Sequence, residues 1–454
     1  MQPFRYHVFV CDQQKPEGAP SCGAGGGLAV IEALRREVAA QGLESQVQVT
    51  ACGSLGLCES GPNAVVYPEG TWYSGLTLAD APELVEEHFR NGRPVARLQR
   101  RDVGEVCAEM AANRDKRLAA VRAREASGAL PDDLNERIRA FRQSRVILTA
   151  LELDLFSVIG EGGAAADIAA RIHADPRATE MLLHALASLQ LVAKRDGVFH
   201  NSPVAARYFT AGSPHNARPG LLHTASLWKT WSTLTECVRS GTCAIPQELG
   251  ERSSDWTQAF IAAMHRNAAE RAAPLVAAVG AQGVRRMLDV GGGSGAYSIA
   301  FAAANPELEA YILDLAAVVP LPQRHIEQAG VAGLVHTRIG DLRTDHLGEG
   351  YDLVLVSAIC HMLDEKENAH LIGRCYGALA PGGRLTIQDF ILDPDKCSPQ
   401  SAALFSLNML VGTRAGASYS EPEYTAWMHA AGFTAIRRVH MPGPAGLMIG
   451  TRAA

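Results

Sequence analysis

The hydrophobic pattern changes period several times along the chain. Residues 5–11 (RYHVFVC) alternate, residues 27–42 (GLAVIEALRREVAAQG) space their apolar side chains by three and four, and residues 46–51 (QVQVTA) alternate again. Strands repeat about every 2 residues and helices about every 3.6, so these runs predict strand, helix, strand. Two short strand-like runs follow in NAVVYPEGTWYSG, joined at Pro68-Glu69-Gly70, a turn that predicts a hairpin. A helix is expected over Asp80–Asn91 before Gly92-Arg93-Pro94 closes the segment.

Residues 99–128 are highly charged and helix-prone, and they run out at Leu130-Pro131, which suggests a connecting helix. From Asp132 to Glu270 the spacing is helical nearly throughout, as in IRAFRQSRVILTALELDLFSVI. Inside that stretch, DIAARIHA, ATEMLLHALASLQLV and AKRDGVFHNS read as helix-turn-helix plus a wing closed at Asp196-Gly197. The second helix of the three-part unit is apolar and lacks Arg and Lys, so it offers no charge for phosphates and points to packing or dimerisation instead of nucleic acid. From Arg285 the runs RRMLDV, LEAYILDL, GLVHTRIGDL, YDLVLVSAI and GGRLTIQDFIL alternate with helical stretches. That order argues for an α/β fold with a doubly wound, mostly parallel sheet.

Composition narrows the classes. The chain has 454 residues, more than one core usually serves, and three domains are expected. With 47% hydrophobic and 20% charged residues and a net charge of -6, it is of the soluble globular type with no basic surplus for nucleic acid or anionic membrane. The opening MQPFRYHVFVCDQQ has no basic lead, long apolar run or small-residue cleavage site, and no window reaches a membrane span, so a cytoplasmic location is expected. Ten cysteines in such a chain point to metal binding, catalysis or core filling, and four of them (Cys11, Cys22, Cys52, Cys58) fall within the first 60 residues.

Chemistry concentrates after residue 286. Met287-Leu288-Asp289-Val290 is a buried-strand sequence, followed by Gly291-Gly292-Gly293-Ser294-Gly295 and a helix over 296–305. Glycines let the backbone turn sharply and approach a ligand, and the helix start offers free N–H groups. The next strand ends in Asp314, placed to accept ribose hydroxyls, and a third strand end carries Asp341-Leu342. A nicotinamide dinucleotide would account for the first two features but not the third. The segment resembles the class I methyltransferase fold, a Rossmann-like sheet that binds S-adenosyl-L-methionine. That resemblance implies Asp289, Gly291 and Gly293 in the first motif, Asp314 at the ribose, Asp341 and Leu342 beside the adenine, and Ser357 at the end of YDLVLVS as cofactor contacts.

Methyl transfer to a hydroxyl needs in-line positioning and removal of a proton, for which an imidazole suits. His361 lies just beyond the strand 351–359, in ICHMLDEKENAHLIGRCYGALAPGGRLTIQDFIL. The segment resembles small-molecule O-methyltransferases related to plant phenolic, acetylserotonin and bacterial polyketide enzymes. The likeness spans about 320 residues. It implies His361 as catalytic base, with Met362-Leu363 where the family has Asp-Trp, and Asp389 as its orienting carboxylate. Ser418 stands where a second acid is usual. Met264 and Asn267, on one face of WTQAFIAAMHRNAAE with Phe260, are implied as substrate contacts, while Trp228, Trp231 and His223 are assigned to packing. A homodimer through a helical, winged-helix-like domain is implied as well.

Cys11 and Cys22 are too far apart for a zinc knuckle. With CGSLGLCESGPNAVVYPEGTWYSG they resemble the thioredoxin-like 2Fe-2S ferredoxins, implying metal ligands Cys11, Cys22, Cys52 and Cys58, with Ser54 at the usual third position. The expected division is residues 1–98 as ferredoxin domain, 99–131 as linker, 132–270 as dimerisation and substrate-lid domain, and 271–454 as methyltransferase domain. The leading reading is O-methylation of a small aromatic or polyketide-like acceptor, with the iron-sulfur domain in redox sensing, docking or exchange with an electron-transfer partner. The rivals are a methyltransferase fold turned to hydroxylation or decarboxylation, and a winged-helix redox regulator.

Overall fold

The computed structural model describes residues 3–15, 20–100, 102–128, 130–245 and 254–454, without the side chains of 124, 125, 132, 254–259, 262, 263 and 267. It divides into two compact units, Met1–Ile138 and Arg139–Ala454.

The first unit is a five-stranded sheet in the order β2-β1-β3-β4-β5, formed by β1 (Tyr6–Cys11), β2 (Val47–Cys52), β3 (Ala64–Tyr67), β4 (Thr71–Tyr73) and β5 (Gln99–Arg100). β1 and β2 run parallel, and the remaining pairs are antiparallel. The crossover between the parallel strands is the helix Gly27–Ala40, whose Val30, Ile31, Leu34 and Val38 all lie in the core, as its three-and-four spacing requires. The helix expected over Asp80–Asn91 is present but irregular: a 3₁₀ turn Leu78–Asp80, a short α segment Ala81–Glu83 and a π turn Leu84–Arg90. The charged helix Val103–Ser127 lies against the loop that carries Cys58: the Asn113 amide donates to the Gly56 carbonyl at 2.8 Å, and the Ser60 hydroxyl donates to Glu109 at 3.2 Å. β5 has only two residues, too few to leave a periodic signal.

The second unit begins with the helices Phe141–Glu152, Leu155–Ile159, Ala165–Arg171 and Pro176–Ser188, and a small sheet of β6 (Gly163–Ala164), β7 (Val192–Arg195) and β8 (Val198–Asn201). Leu151, Phe156, Leu183, Leu186 and Phe199 fill the shared core. The Asp175 carboxylate accepts from Ala178 N–H at 2.8 Å and starts the helix Pro176–Ser188. Asp196 and Gly197, both left-handed at φ 49° and 82°, make the turn of the wing. Helices Arg218–Trp231 and Ser254–Val279 lead to the main sheet.

That sheet has seven strands in the order β11-β10-β9-β12-β13-β15-β14: β9 (Arg286–Val290), β10 (Glu309–Asp314), β11 (Val335–Ile339), β12 (Tyr351–Ser357), β13 (Leu379–Asp389), β14 (Phe433–His440) and β15 (Gly446–Arg452). The first five are parallel, and alternate residues feed cores on both faces: Leu288, Val354 and Ile387 on one, Met287, Leu353 and Leu355 on the other. β14 and β15 form an antiparallel edge joined through the turn at Pro442-Gly443-Pro444, a hairpin that the sequence reading did not include. Strand order reverses between β9 and β12, so a crevice opens at their carboxyl ends, where open α/β sheets bind ligands. Among the described residues, no helix is long and apolar enough to cross a membrane.

Candidate active site

At the end of β9 the chain takes left-handed conformations at Gly291, Gly293 and Gly295 (φ 67°, 56° and 73°). A Cβ on Gly291 would stand 2.5 Å from Cδ1 of Ile359, so a side chain there would have to displace Ile359 and also adopt a disfavoured left-handed conformation. The loop is tied to the neighbouring strand: Gly291 N–H donates to the Leu313 carbonyl and Gly293 N–H to Asp314 Oδ2, each at 2.8 Å. Asp314 Oδ1 accepts from Leu315 N–H at 2.7 Å. Burial pushes the Asp314 carboxyl above the ordinary range while these two N–H groups pull it back.

Asp289 is fully buried. Burial pushes its carboxyl up to about 7, opposed by the Ser298 hydroxyl and reinforced by the Asp314 charge. Its Oδ2 accepts from Ser298 Oγ at 2.8 Å, and its Oδ1 has no hydrogen-bond partner among the described residues. An unpartnered buried carboxylate oxygen beside a glycine cradle fits a ligand carrying a cationic amine. Beyond β11, Asp341 Oδ1 accepts from Arg343 N–H at 2.8 Å, and Leu342 Cδ2 lies 3.7 Å from where a Gly291 Cβ would be. Ser357 donates to Gln388 Oε1, its register partner on β13, and the Tyr297 hydroxyl adjoins both. Gln388 escaped the sequence reading because only strand register brings it to Ser357, and Tyr297 because it reaches the pair from the helix Ala296–Ala304.

The His361 turn is built with equal constraint. Beyond β12, Ala358 sits at φ 55°, a strained conformation for a residue with a Cβ, held by its N–H donating to the Gln388 carbonyl at 2.9 Å. The 3₁₀ turn Cys360–Met362 follows. Asn368 donates to the Cys360 carbonyl at 2.9 Å, and the Tyr419 hydroxyl donates to the Leu363 carbonyl at 2.6 Å, bracing the turn from two directions. The buried His361 ring bonds through Nδ1 to Asp389 Oδ1 at 2.7 Å, and its backbone N–H donates to Asp389 Oδ2 at 3.1 Å. A carboxylate only accepts, so Nδ1 carries the hydrogen and Nε2 of the neutral ring keeps a free lone pair. Gly416 belongs to this site too: a Cβ there would collide with the His361 carbonyl oxygen. No motif marks that glycine in the sequence.

Aromatic surface lies beside the imidazole. Phe405 meets it edge to face at 4.9 Å and stacks on Phe390 at 3.8 Å. Phe405 is on the helix Gln400–Gly412, whose Asn408 accepts from the Trp231 indole N–H at 2.9 Å. Trp231 therefore links the helical region to the helix beside His361, and His223 meets Phe260 at 5.2 Å. Met264 is half-buried on the helix Ser254–Val279; the Asn267 side chain lies outside the described residues. Ser418 is buried, and its Oγ has no hydrogen-bond partner among the described residues.

The four N-terminal cysteines do not assemble as expected. Cys11 and Cys52 are register partners on β1 and β2, and the Cys22 thiol adjoins Cys11 and the Asn63 amide. Burial pushes the thiols of Cys22 and Cys52 up to about 11. The Cys58 thiol instead pairs with Ser54 Oγ at 3.4 Å. Among the described residues, no group of three or more His, Cys, Asp or Glu side chains converges as a metal site. The Ser54 contact to Cys58 lies within the loop that carries both residues.

Residues 231–434 match the O-methyltransferase domain family and residues 135–211 the O-methyltransferase dimerisation domain. The chain is 34% identical over 320 residues to 3-hydroxy-5-methyl-1-naphthoate 3-O-methyltransferase of Streptomyces sahachiroi, covering 68% of this chain and 92% of the relative. It is 30% identical over 329 residues to the tetracenomycin polyketide synthesis 8-O-methyl transferase of Streptomyces glaucescens, covering 71% and 97%. Among solved structures, human N-acetylserotonin methyltransferase in complex with SAM aligns with a TM-score of 0.64 at 25% identity, over 71% of this chain and 97% of that one. The chain belongs to the acetylserotonin-type O-methyltransferase family. It is an S-adenosylmethionine-dependent O-methyltransferase, with a dimerisation domain that supports a homodimer.

Proposed function

We propose that the protein methylates a phenolic hydroxyl of a small aromatic or polyketide-derived metabolite, with His361 as general base and Asp389 as its orienting carboxylate. The 2.7 Å bond from His361 Nδ1 to Asp389 carries this reading, since it fixes the tautomer whose Nε2 can take the hydroxyl proton. S-adenosylmethionine supplies an electrophilic methyl group on a sulfonium. The glycine loop, Asp289, Asp314, Asp341, Leu342 and Ser357 are the residues proposed to hold it. The stacked Phe390 and Phe405 offer a flat apolar surface next to the imidazole, which suits an aromatic acceptor. So do the names of the two Streptomyces relatives. Met264 and Asn267 are proposed as further contacts to the acceptor. The decisive assay incubates the enzyme with S-adenosylmethionine and a panel of naphthoates and polycyclic phenols. One S-adenosylhomocysteine per methoxy product supports the reading; oxidised or decarboxylated product with unconsumed S-adenosylmethionine overturns it.

We further propose homodimerisation through the helical region, where Phe141, Met181, Val204 and Trp228 are large apolar side chains left exposed. Sedimentation at the monomer mass over micromolar concentrations would contradict this. The four-part division at 98, 131 and 270 is retained as a proposal for the domain plan.

For residues 1–98 a narrower proposal stands beside this one: a thioredoxin-like fold descended from 2Fe-2S ferredoxins, with Cys11, Cys22, Cys52 and Cys58 as ligands. The strand order and the Cys11–Cys52 register support it. Against it stand the Cys58 contact to Ser54 Oγ and the lack, among the described residues, of three converging His, Cys, Asp or Glu side chains.

A further inference from the structure

The helix Ser254–Val279 rests on the glycine loop through residues one turn apart. Ile261 Cδ1 lies 3.6 Å from where a Gly293 Cβ would be, and His265 Nδ1 is 3.0 Å from Ser294 Oγ. On its other side, the His265 ring stacks on His325 with centroids 3.6 Å apart and planes 9° from parallel. His325 belongs to the helix Gln323–Gln328, which follows the loop leaving Asp314. One imidazole thus joins three pieces of chain that border the cofactor crevice: the long helix, the glycine loop and the segment after the second acidic strand end.

We propose that His265 is a positioning residue for S-adenosylmethionine, acting through Ser294 and His325 to clasp the long helix onto the glycine loop. The inference rests on the assignment of that loop to the cofactor. Two stacked imidazoles tolerate each other when neutral and repel when both carry charge, so the clasp weakens in acid. Burial holds both rings below the ordinary histidine range, with His325 adding to the effect on His265 and Arg324 to that on His325. The charged groups around the pair give no compensating anion: Arg324 precedes His325, and Arg266 is turned to the carbonyls of His215 and Asn216, with Glu270 beside it at 4.0 Å. Among the described residues, neither ring is within ion-pair distance of a carboxylate. Because the neutral forms are favoured in the closed arrangement, closure is complete at high pH and is lost as pH falls below the ordinary histidine value of about 6.5.

Calorimetric titration of the full-length protein with S-adenosylmethionine at about pH 8 and about pH 5.5 tests the clasp. His265→Ala is expected to weaken binding about tenfold at the higher pH, with kcat at saturating cofactor nearly unchanged. His265→Gln, whose amide can still reach Ser294, should recover part of that loss. His325→Phe keeps a stacking partner but removes a titrating one, and should flatten the acid-dependent weakening relative to wild type. Titration of Asp289 and Asp314 is common to all these proteins and cancels in that comparison. Wild-type affinity in His265→Ala, or the full acid dependence retained in His325→Phe, overturns the clasp. Asp314→Ala checks the underlying site: unaltered affinity there would refute the cofactor assignment itself, whatever the histidine variants show.

Discussion

Two regions of this chain gather chemistry-bearing side chains, and they are organised differently. Around the β9–β12 crevice the Asp314 and His361 side chains are pinned by neighbouring segments: Asp314 by the N–H of Gly293, His361 by Asp389, while the turn carrying His361 is itself held by Asn368 and Tyr419. In the first unit the thiols sit at a strand end and in a loop, and Cys58 is held by its own loop neighbour. Preorganisation of this kind is what a catalytic constellation requires, because reacting groups must stay in place without further ordering. The contrast supports the proposal that methyl transfer is carried out in the crevice without the thiol region.

The largest effect should come from removing the base. His361→Ala is expected to lower kcat by roughly two to four orders of magnitude while leaving S-adenosylmethionine affinity intact, measured by product formation and calorimetry. Turnover within a few-fold of wild type would show that the crevice does not work through this histidine. Gly416→Ala tests the same site from behind, since the added methyl must displace the His361 carbonyl. A loss of about 10- to 100-fold in kcat is expected from such a displacement, with the protein still folded by circular dichroism. An unaffected kcat would mean that the turn has more freedom than its bracing implies.

Smaller again is a pH effect at Asp289. Its buried carboxyl, raised to about 7, prefers the neutral form in the folded protein, so the stability it permits is present in acid and is lost as pH rises through about 7. Asp289→Asn removes that loss. Without cofactor, the variant's melting temperature should exceed wild type by more at pH 8 than at pH 4, in differential scanning calorimetry. An equal gap at both pH values would show that Asp289 is not the titrating group.

The sheet, the glycine loop and His361 were legible in the sequence because each leaves a local trace: strand-type runs, clustered glycines and a histidine just past a strand. The wing at Asp196-Gly197 was legible for the same reason, its turn residues taking the left-handed conformations that such residues favour. What stayed hidden depends on distance along the chain. Gln388 reaches Ser357 only through the β12–β13 register, and Trp231 meets Asn408 only when two helices far apart in sequence pack. The antiparallel β14–β15 edge was missed because FTAIRRVH carries two arginines and GLMIGTR does not alternate, so only the Pro442-Gly443-Pro444 turn between them marks a hairpin. The Ser54–Cys58 contact was hidden in another way, since cysteine spacing does not say which neighbour a thiol bonds.

The smallest expected effect sharpens the comparison from the other side. If the crevice alone performs methyl transfer, Cys58→Ala should leave kcat and the cofactor KM unchanged, because this thiol is bonded within the first unit. The same variant carries the test of the cluster proposal, read as iron and acid-labile sulfide per chain and as visible absorbance after anaerobic purification. Four thiolate ligands predict iron in the wild-type protein and its loss in Cys58→Ala and Cys52→Ala, with Ser54→Ala retaining it. Loss of iron in Ser54→Ala and retention in Cys52→Ala would move the third ligand to the serine. Wild-type protein without iron would end the cluster proposal and leave Cys11 and Cys22 as packing groups. A fall in methyl transfer that tracks iron loss would instead break the division of labour between the two regions.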